Sequence, residues 1–192
     1  DGYDVGIRYA DDAVGTLVNK LADLGVLDDT AILISSDHGE AFGELGVYAD
    51  HQGADEATCH IPSVLRWPGV EPRVDSALHY HLDVAATVVD LAGIPVPMGW
   101  WSGHTFADAL RAGEEEGRDA LILSQGAWTC QRGVRWGDNL YLKTWHDGYH
   151  PHWNDEMLFD IAADPHEVDD LAEDQPELVK EAADILEAWT EK

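Results

Sequence analysis

Within "AILISSDHGEAFGELGVYADHQG" (31–53) an apolar run ends abruptly in Asp37-His38-Gly39, and a second pair, Asp50-His51, follows closely. An Asp oxygen beside a His nitrogen suits Mn²⁺ or Zn²⁺, and suits Ca²⁺ where the remaining ligands are oxygens. Adjacent residues on a regular strand point to opposite faces, so both reach one ion only where the strand breaks. Gly39 supplies that break by letting the backbone turn. The bland reading of the same residues is a strand, a polar turn and a solvated loop, and a lone Asp-His-Gly usually is such a turn.

The elements around the motif favour a site. Ile7, Ala10, Val14, Leu17, Val18, Leu21 and Leu24 recur at spacings of three and four before Gly25, which predicts an amphipathic helix with a glycine stop. "TAILISS" (30–36) is short and apolar without alternation, as in a strand buried on both faces. "IPSVLRWPG" (61–69) reads as a further strand and "HLDVAATVVDLAGIPVP" (81–97) as a helix stopped by Gly93 and Pro95. This order predicts an α/β layer with a mostly parallel sheet, whose ligands bind at the carboxyl ends of the strands, where Asp37 and His38 stand.

"RAGEEEGRD" (111–119) is the candidate boundary, dividing residues 1–114 from 115–192. Beyond it "DALILSQG", "WTCQRGVRW", "NLYLKTW" and "EMLFDI" read as short strands of a small antiparallel sheet, with Gly137-Asp138-Asn139 at a turn. Pro176 opens a last helix whose Leu178, Ala182, Ile185, Leu186 and Trp189 share one face, suited to covering that sheet.

The 192 residues carry 38 Asp and Glu against 11 Lys and Arg, a formal net charge of −27. Nucleic acid and anionic membranes are therefore poor partners. Four lysines stand against 24 aspartates dispersed along the chain, a pattern suited to concentrated salt, where screening relieves self-repulsion. The expectation is a cytoplasmic protein of a high-salt organism, without signal peptide or spanning segment in these residues. The opening "DGYDVGIRYADDAVG" starts inside or just before a helix, as a truncated chain would. Cys59 and Cys130 form no C-x-x-C pair and read as ordinary buried thiols.

"ISSDHGEAFGELGVYADHQGADEATCHIPSVLRWPG" (34–69) resembles the carboxyl-terminal metal-binding segment of the sulfatases, within the alkaline phosphatase superfamily. The upstream "IRYADDAVG" helix, the "LDVAATVVDLAGIPVP" helix and "LFDIAADPHEVDDLAED" (158–174) extend the resemblance in order over nearly the whole chain. It implies hydrolysis of sulfate esters, small-molecule or carbohydrate, by a formylglycine made from the cysteine of a C-x-P-x-R motif. The formylglycine stands beside a divalent metal, Ca²⁺ foremost. Asp37 and His38 match the second metal-ligand pair. The first pair and the nucleophile belong to the amino-terminal half of family members, which these residues do not include. "CHIPS" places its proline one position too late and Ser63 where arginine belongs, so Cys59 is no stand-in.

His51 matches a loop position where family members place a basic residue against the sulfate or leaving oxygen, and imidazole suits protonation of a leaving alkoxide. "WHDGYHPHW" (145–153) packs three histidines among aromatics after a strand, and His146 and His150 are the candidates for binding an anionic substrate. Trp100-Trp101 is a candidate substrate wall or simply core. Glu40 is assigned to the local turn and Arg66 to a solvent charge at a strand end, while His79 and His81 receive no catalytic role. Two other functions compete: a phosphodiester or phosphonate monoester hydrolase of the same superfamily, and a non-catalytic acidic module that binds cations or a partner.

Overall fold

A computed structural model describes residues 2–95, 99 and 101–191, so Trp100 lies outside the described residues. In chain order the elements are α1 (Gly2–Asp23), β1 (Ile32–Ser35), β2 (Ala41–Phe42), β3 (Tyr48–Asp50), α2 (Glu56–Cys59), β4 (Ser63–Arg66), α3 (His81–Leu91), α4 (Ala107–Ala112), β5 (Ala120–Gln125), β6 (Cys130–Trp136), β7 (Asn139–His146), β8 (Glu156–Asp160) and α5 (Pro176–Thr190). This is a mixed α/β architecture with a small antiparallel sheet and a C-terminal helix, as the sequence pattern requires. Among the described residues no helix is long and apolar enough to cross a membrane. The chain forms two compact units, Asp1–Ile34 with Ser63–Arg73 and Ser35–Pro62 with Val74–Lys192.

In the first unit, α1 runs to the expected stop, where Gly25 takes φ +70°. No residue of α1 is buried, and its apolar Ile7 and Leu17 are exposed. β1 pairs with β4 in a two-stranded sheet. β1 departs from the expected double-sided burial, because Leu33 and Ile34 are exposed. An uninterrupted apolar run needs a layer on each face, and over Leu33 and Ile34 that cover is incomplete among the described residues. Arg66 also departs from its assignment as a solvent charge. Its Nη1 donates to the carbonyls of Leu27 at 2.6 Å and Thr30 at 2.8 Å, tying β4 to the turn before β1. A guanidinium carries enough donors to satisfy both carbonyls at once, which strand-end position alone does not reveal.

The second unit is built on the meander β5-β6-β7-β8, antiparallel throughout. The pairing of Leu140 with Phe159 and Leu142 with Met157 puts four apolar side chains on one face, and Tyr141 with Leu158 on the other. Ala182 and Leu186 of α5 pack with Val134, Tyr141 and Leu158, so the helix covers this second face as expected. The first face is covered by Ala41, Val47, Ala54 and Trp153. Leu140 and Leu142 are fully buried there, each contributing about 2 kcal/mol. The loop that carries the two Asp-His pairs is thereby fastened to a rigid sheet. Trp153 adds a hydrogen bond from Nε1 to the Leu45 carbonyl at 2.7 Å.

A buried ion pair anchors α3. Asp83 accepts from Arg118 Nε at 2.7 Å and Nη2 at 2.6 Å, and from the backbone N–H groups of Tyr80 and His104. Burial raises the Asp83 pKa, but Arg118 and these N–H groups outweigh it and hold the carboxyl below its ordinary value. Cys130 corrects the sequence reading: it is exposed. It opens β6 at a register shift, where the sheet no longer encloses its side chain. Cys59 is half-buried, and burial among Asp55, Glu56 and Glu167 pushes its thiol up to about 12.

Candidate active site

β1 ends at Ser35, and Asp37 and His38 follow where the chain leaves regular strand geometry. Asp37 Oδ1 accepts the His38 N–H at 3.1 Å. Backbone N–H groups, its own first and then that of His38, lower the Asp37 pKa and keep the carboxylate ionised. His38 Nδ1 lies 2.8 Å from the Gly39 carbonyl. A carbonyl only accepts, so Nδ1 carries the proton and the Nε2 lone pair is free. That Nε2 sits 3.8 Å from Asp37 Oδ2. Gly39 is required by crowding: a Cβ there would lie 2.0 Å from the Ala57 carbonyl oxygen. Its N–H also donates to the Thr58 carbonyl at 2.8 Å, holding the motif against α2.

The β2–β3 hairpin returns the second pair. Its antiparallel register sets Ala41 opposite Asp50, which places Glu40 opposite His51 one step further out. The His51 ring stacks on His38 with centroids 3.9 Å apart. Its Nδ1 lies 3.8 Å from Glu40 Oε2 and 3.7 Å from Asp50 Oδ1. The backbone of His51 is fixed on both sides, its N–H donating to Asp50 Oδ1 at 2.8 Å and its carbonyl accepting from Gln125 Nε2 at 2.8 Å. Asp50 is held below its ordinary pKa, first by the His51 N–H and then by Gln52.

Gln52 links this hairpin to the loop after β7. Its Nε2 donates to Asp50 Oδ2 at 2.6 Å, and its Oε1 lies 2.9 Å from His150 Nε2. His150 stacks on Trp153 at 4.4 Å, and burial, then His152, push its pKa down. His150 is therefore joined to the His51 loop through one side chain. His146 is exposed, and its Nδ1 accepts the Gly148 N–H at 3.0 Å. No hydrogen bond joins it to Asp37, His38 or His51 among the described residues. Trp101 is exposed.

Sequence reasoning gave Glu40 to the local turn, and the structure sets it beside two histidines. It joins His38 and His51 in a group whose ligating atoms all lie within 4.8 Å of one another. No local signal marked that nearness, because residues 38–40 belong to no strand and the hairpin pairing alone brings Glu40 to His51. His81 Nε2 lies 3.3 Å from Ser35 Oγ at the end of β1, and His79 stacks on Phe106 at 4.0 Å.

A second ionisable group lies behind the hairpin and escaped sequence reasoning. Asp55 Oδ1 accepts the Thr58 N–H at 2.7 Å, and Glu167 Oε1 accepts the Glu56 N–H at 2.8 Å. Both carboxyls are buried, and Asp55 Oδ2 and Glu167 Oε2 have no hydrogen-bond partner among the described residues. Glu56 is matched by Arg135 at 2.9 Å and Glu44 by His166 at 3.1 Å. Burial above all, and then Asp55, push Glu167 up to about 8.

The donor set at the strand end fits a divalent cation. Ligand atoms held about 2.0–2.5 Å from one ion stand roughly 3–4 Å apart, which matches an ionised Asp37 and the free lone pair of His38. Neither cysteine fits a formylglycine position: Cys59 is an inert thiol beside carboxylates, and Cys130 stands in no C-x-P-x-R sequence.

The chain is similar to known proteins along most of its length. The family model described as Sulfatase matches residues 1–94. The choline-sulfatase of Rhizobium meliloti (strain 1021) is 31% identical over 175 residues, covering 89% of this chain and 32% of the relative. The chain thus spans about a third of that protein's length. A solved structure of a protein bound to its substrate D-glucosamine-2-N,6-O-disulfate superposes with TM-score 0.82 at 24% identity, covering 96% of this chain and 39% of that one. The phosphonate monoester hydrolase of Agrobacterium radiobacter superposes with TM-score 0.78 at 25% identity, covering 95% of this chain and 39% of that one.

Proposed function

This chain belongs to the sulfatase family, within the alkaline phosphatase superfamily, and we propose from that premise that it forms part of a sulfuric ester hydrolase. The observation that carries the reading is the juxtaposition of Asp37, His38 and His51, with His38 Nε2 facing Asp37 Oδ2 and the His51 ring stacked on His38. Asp37 and His38 hold a divalent cation, with Ca²⁺ the first assignment and Mn²⁺ or Zn²⁺ the others. Bound there, such an ion supplies neutralisation of charge on the sulfate oxygens. His51 donates a proton to the departing alcohol oxygen, with its backbone fixed by Asp50 and Gln125. His150, tied to the same loop through Gln52, orients an anionic substrate, and His146 is assigned the same role. The nucleophile, a formylglycine, is assigned to a part of the protein outside these residues.

Residues 1–114 are assigned to the catalytic α/β domain and 115–192 to a C-terminal subdomain. The substrate class is a sulfate ester of a small alcohol or carbohydrate, supported by the choline-sulfatase and by the glucosamine disulfate complex. The surface charge of −27 supports work in concentrated salt. A second reading, phosphonate or phosphodiester hydrolysis, is favoured by the Agrobacterium radiobacter likeness. Purified full-length protein carrying this chain should be assayed on matched aryl sulfate and aryl phosphonate esters. A higher kcat/KM on the sulfate is expected; preference for the phosphonate assigns the second reading instead.

A further inference from the structure

We propose that His38, Glu40 and His51 together form a site for a borderline transition-metal ion of the Zn²⁺ or Co²⁺ class, sharing His38 with the Asp37-His38 pair. The proposal deepens the reading above and rests on its placing of His38 and His51 in one site. Three observations carry it.

The first is register. The pairing of Ala41 with Asp50 sets Glu40 one step beyond the ladder beside His51, and His38 stands two residues before Glu40, so the three side chains come together from two chain segments. The second is proximity. One ligating atom from each lies within 4.8 Å of the others, and His51 Nδ1 is 3.8 Å from Glu40 Oε2. A tetrahedral ion with bonds of about 2.0–2.1 Å holds its ligand atoms roughly 3.4 Å apart, a small contraction for side chains that move. That contraction falls to the His51 imidazole, with 45% of its side-chain surface exposed, since the His38 ring is held by its own hydrogen bond.

The third is orientation. His38 donates Nδ1–H to the Gly39 carbonyl, the outer contact that fixes the tautomer and ring of a ligating histidine. Two nitrogens and one carboxylate with an open position form the donor set that zinc takes in metallohydrolases, whereas Ca²⁺ asks for six to eight oxygens. An ion held by all three engages the ring that the proposed reaction needs free. Zn²⁺ is accordingly expected to inhibit an enzyme that runs on Ca²⁺.

The test is titration of the full protein with Co²⁺, followed by its visible d–d absorption, and of Zn²⁺ against a chromogenic chelator. Glu40→Gln and His51→Gln should each weaken Zn²⁺ binding by at least about tenfold, with circular dichroism unchanged, while Asp37→Asn should stay within about twofold. Millimolar Ca²⁺ should not displace the ion. Binding that survives His51→Gln, or falls as far with Asp37→Asn as with Glu40→Gln, overturns the site. Should a variant not fold, proton NMR of the unsubstituted Co²⁺ protein decides: imidazole resonances of two histidines shifted by the ion support the site, and one alone overturns it. Ester turnover in Ca²⁺ reads the proposed function separately, so either can fail without the other.

Discussion

Glu167→Gln should stabilise this protein at neutral and alkaline pH. Glu167 is 3% exposed, takes φ +53° and accepts the Glu56 N–H through Oε1, while its other oxygen meets no donor among the described residues. Glu44, Asp55 and Glu56 surround it, while Arg135 is engaged with Glu56 and the His166 ring with Glu44. With its pKa pushed from 4.5 to about 8, the folded state keeps a proton that the unfolded state gives up. A raised folded pKa means stability is lost as pH climbs from the unfolded value to the folded one, at about 1.4 kcal/mol per unit. At pH 7 the retained proton costs about 3 kcal/mol. Glutamine keeps the Oε1 acceptor and carries no such cost. The difference between variant and parent should therefore vanish near pH 4.5, grow to about 3 kcal/mol at pH 7 and level off above pH 8. For a chain of this size that is a rise in Tm of roughly 6–12 °C at pH 7. Urea melts of both proteins from pH 4.5 to 9, at one salt concentration, read it directly. Parallel pH profiles for the two proteins would refute the reasoning, and so would a glutamine variant less stable at pH 8 than its parent.

The Asp83–Arg118 pair should respond in the opposite sense to truncation. Arg118→Ala leaves a buried carboxylate without its cation and should cost about 3–5 kcal/mol at pH 7, measured by the shift in urea midpoint. A loss under about 1 kcal/mol would place the pair among exposed ones. Salt should matter as well: with −27 net charge, the thermal midpoint should climb between dilute buffer and molar KCl, where the Debye length falls to about 3 Å. A flat or falling midpoint across the series would remove the high-salt reading.

Periodic features of the sequence translated directly into elements. The three-and-four spacing from Ile7 to Leu24 became α1, and the apolar face of 178–189 became the cover of the small sheet. The place of Asp37 and His38 just past a strand end was legible because a strand end is a local feature, readable from an apolar run and a glycine. The nearness of Glu40 to His51 was not, since it is created by hairpin register between residues that composition does not pair. Gly39 was right for a different reason, close approach to the Ala57 carbonyl in place of a turn. Arg66, Cys130 and Glu167 were misjudged or passed over alike: whether a polar side chain is buried depends on what packs over it, which no neighbouring residue reports. The same non-locality hid the second cover of the sheet, because Ala41 and Val47 sit in a glycine-rich stretch that reads as open loop.

The division of labour between His51 and the Asp37-His38 pair is the centre of the account. It is tested by kcat/KM of full-length protein on a sugar sulfate and on nitrophenyl sulfate, at matched metal and salt. A proton donor matters for a poor leaving group and little for a good one, and general acid catalysis is worth about 10²–10⁴-fold. His51→Ala should therefore depress the sugar sulfate by that order and nitrophenyl sulfate far less. Asp37→Ala should slow both substrates together, because a metal ligand serves the transferring group whatever departs. Equal loss on both esters with His51→Ala would contradict the account, leaving His51 a sulfate-binding or structural residue.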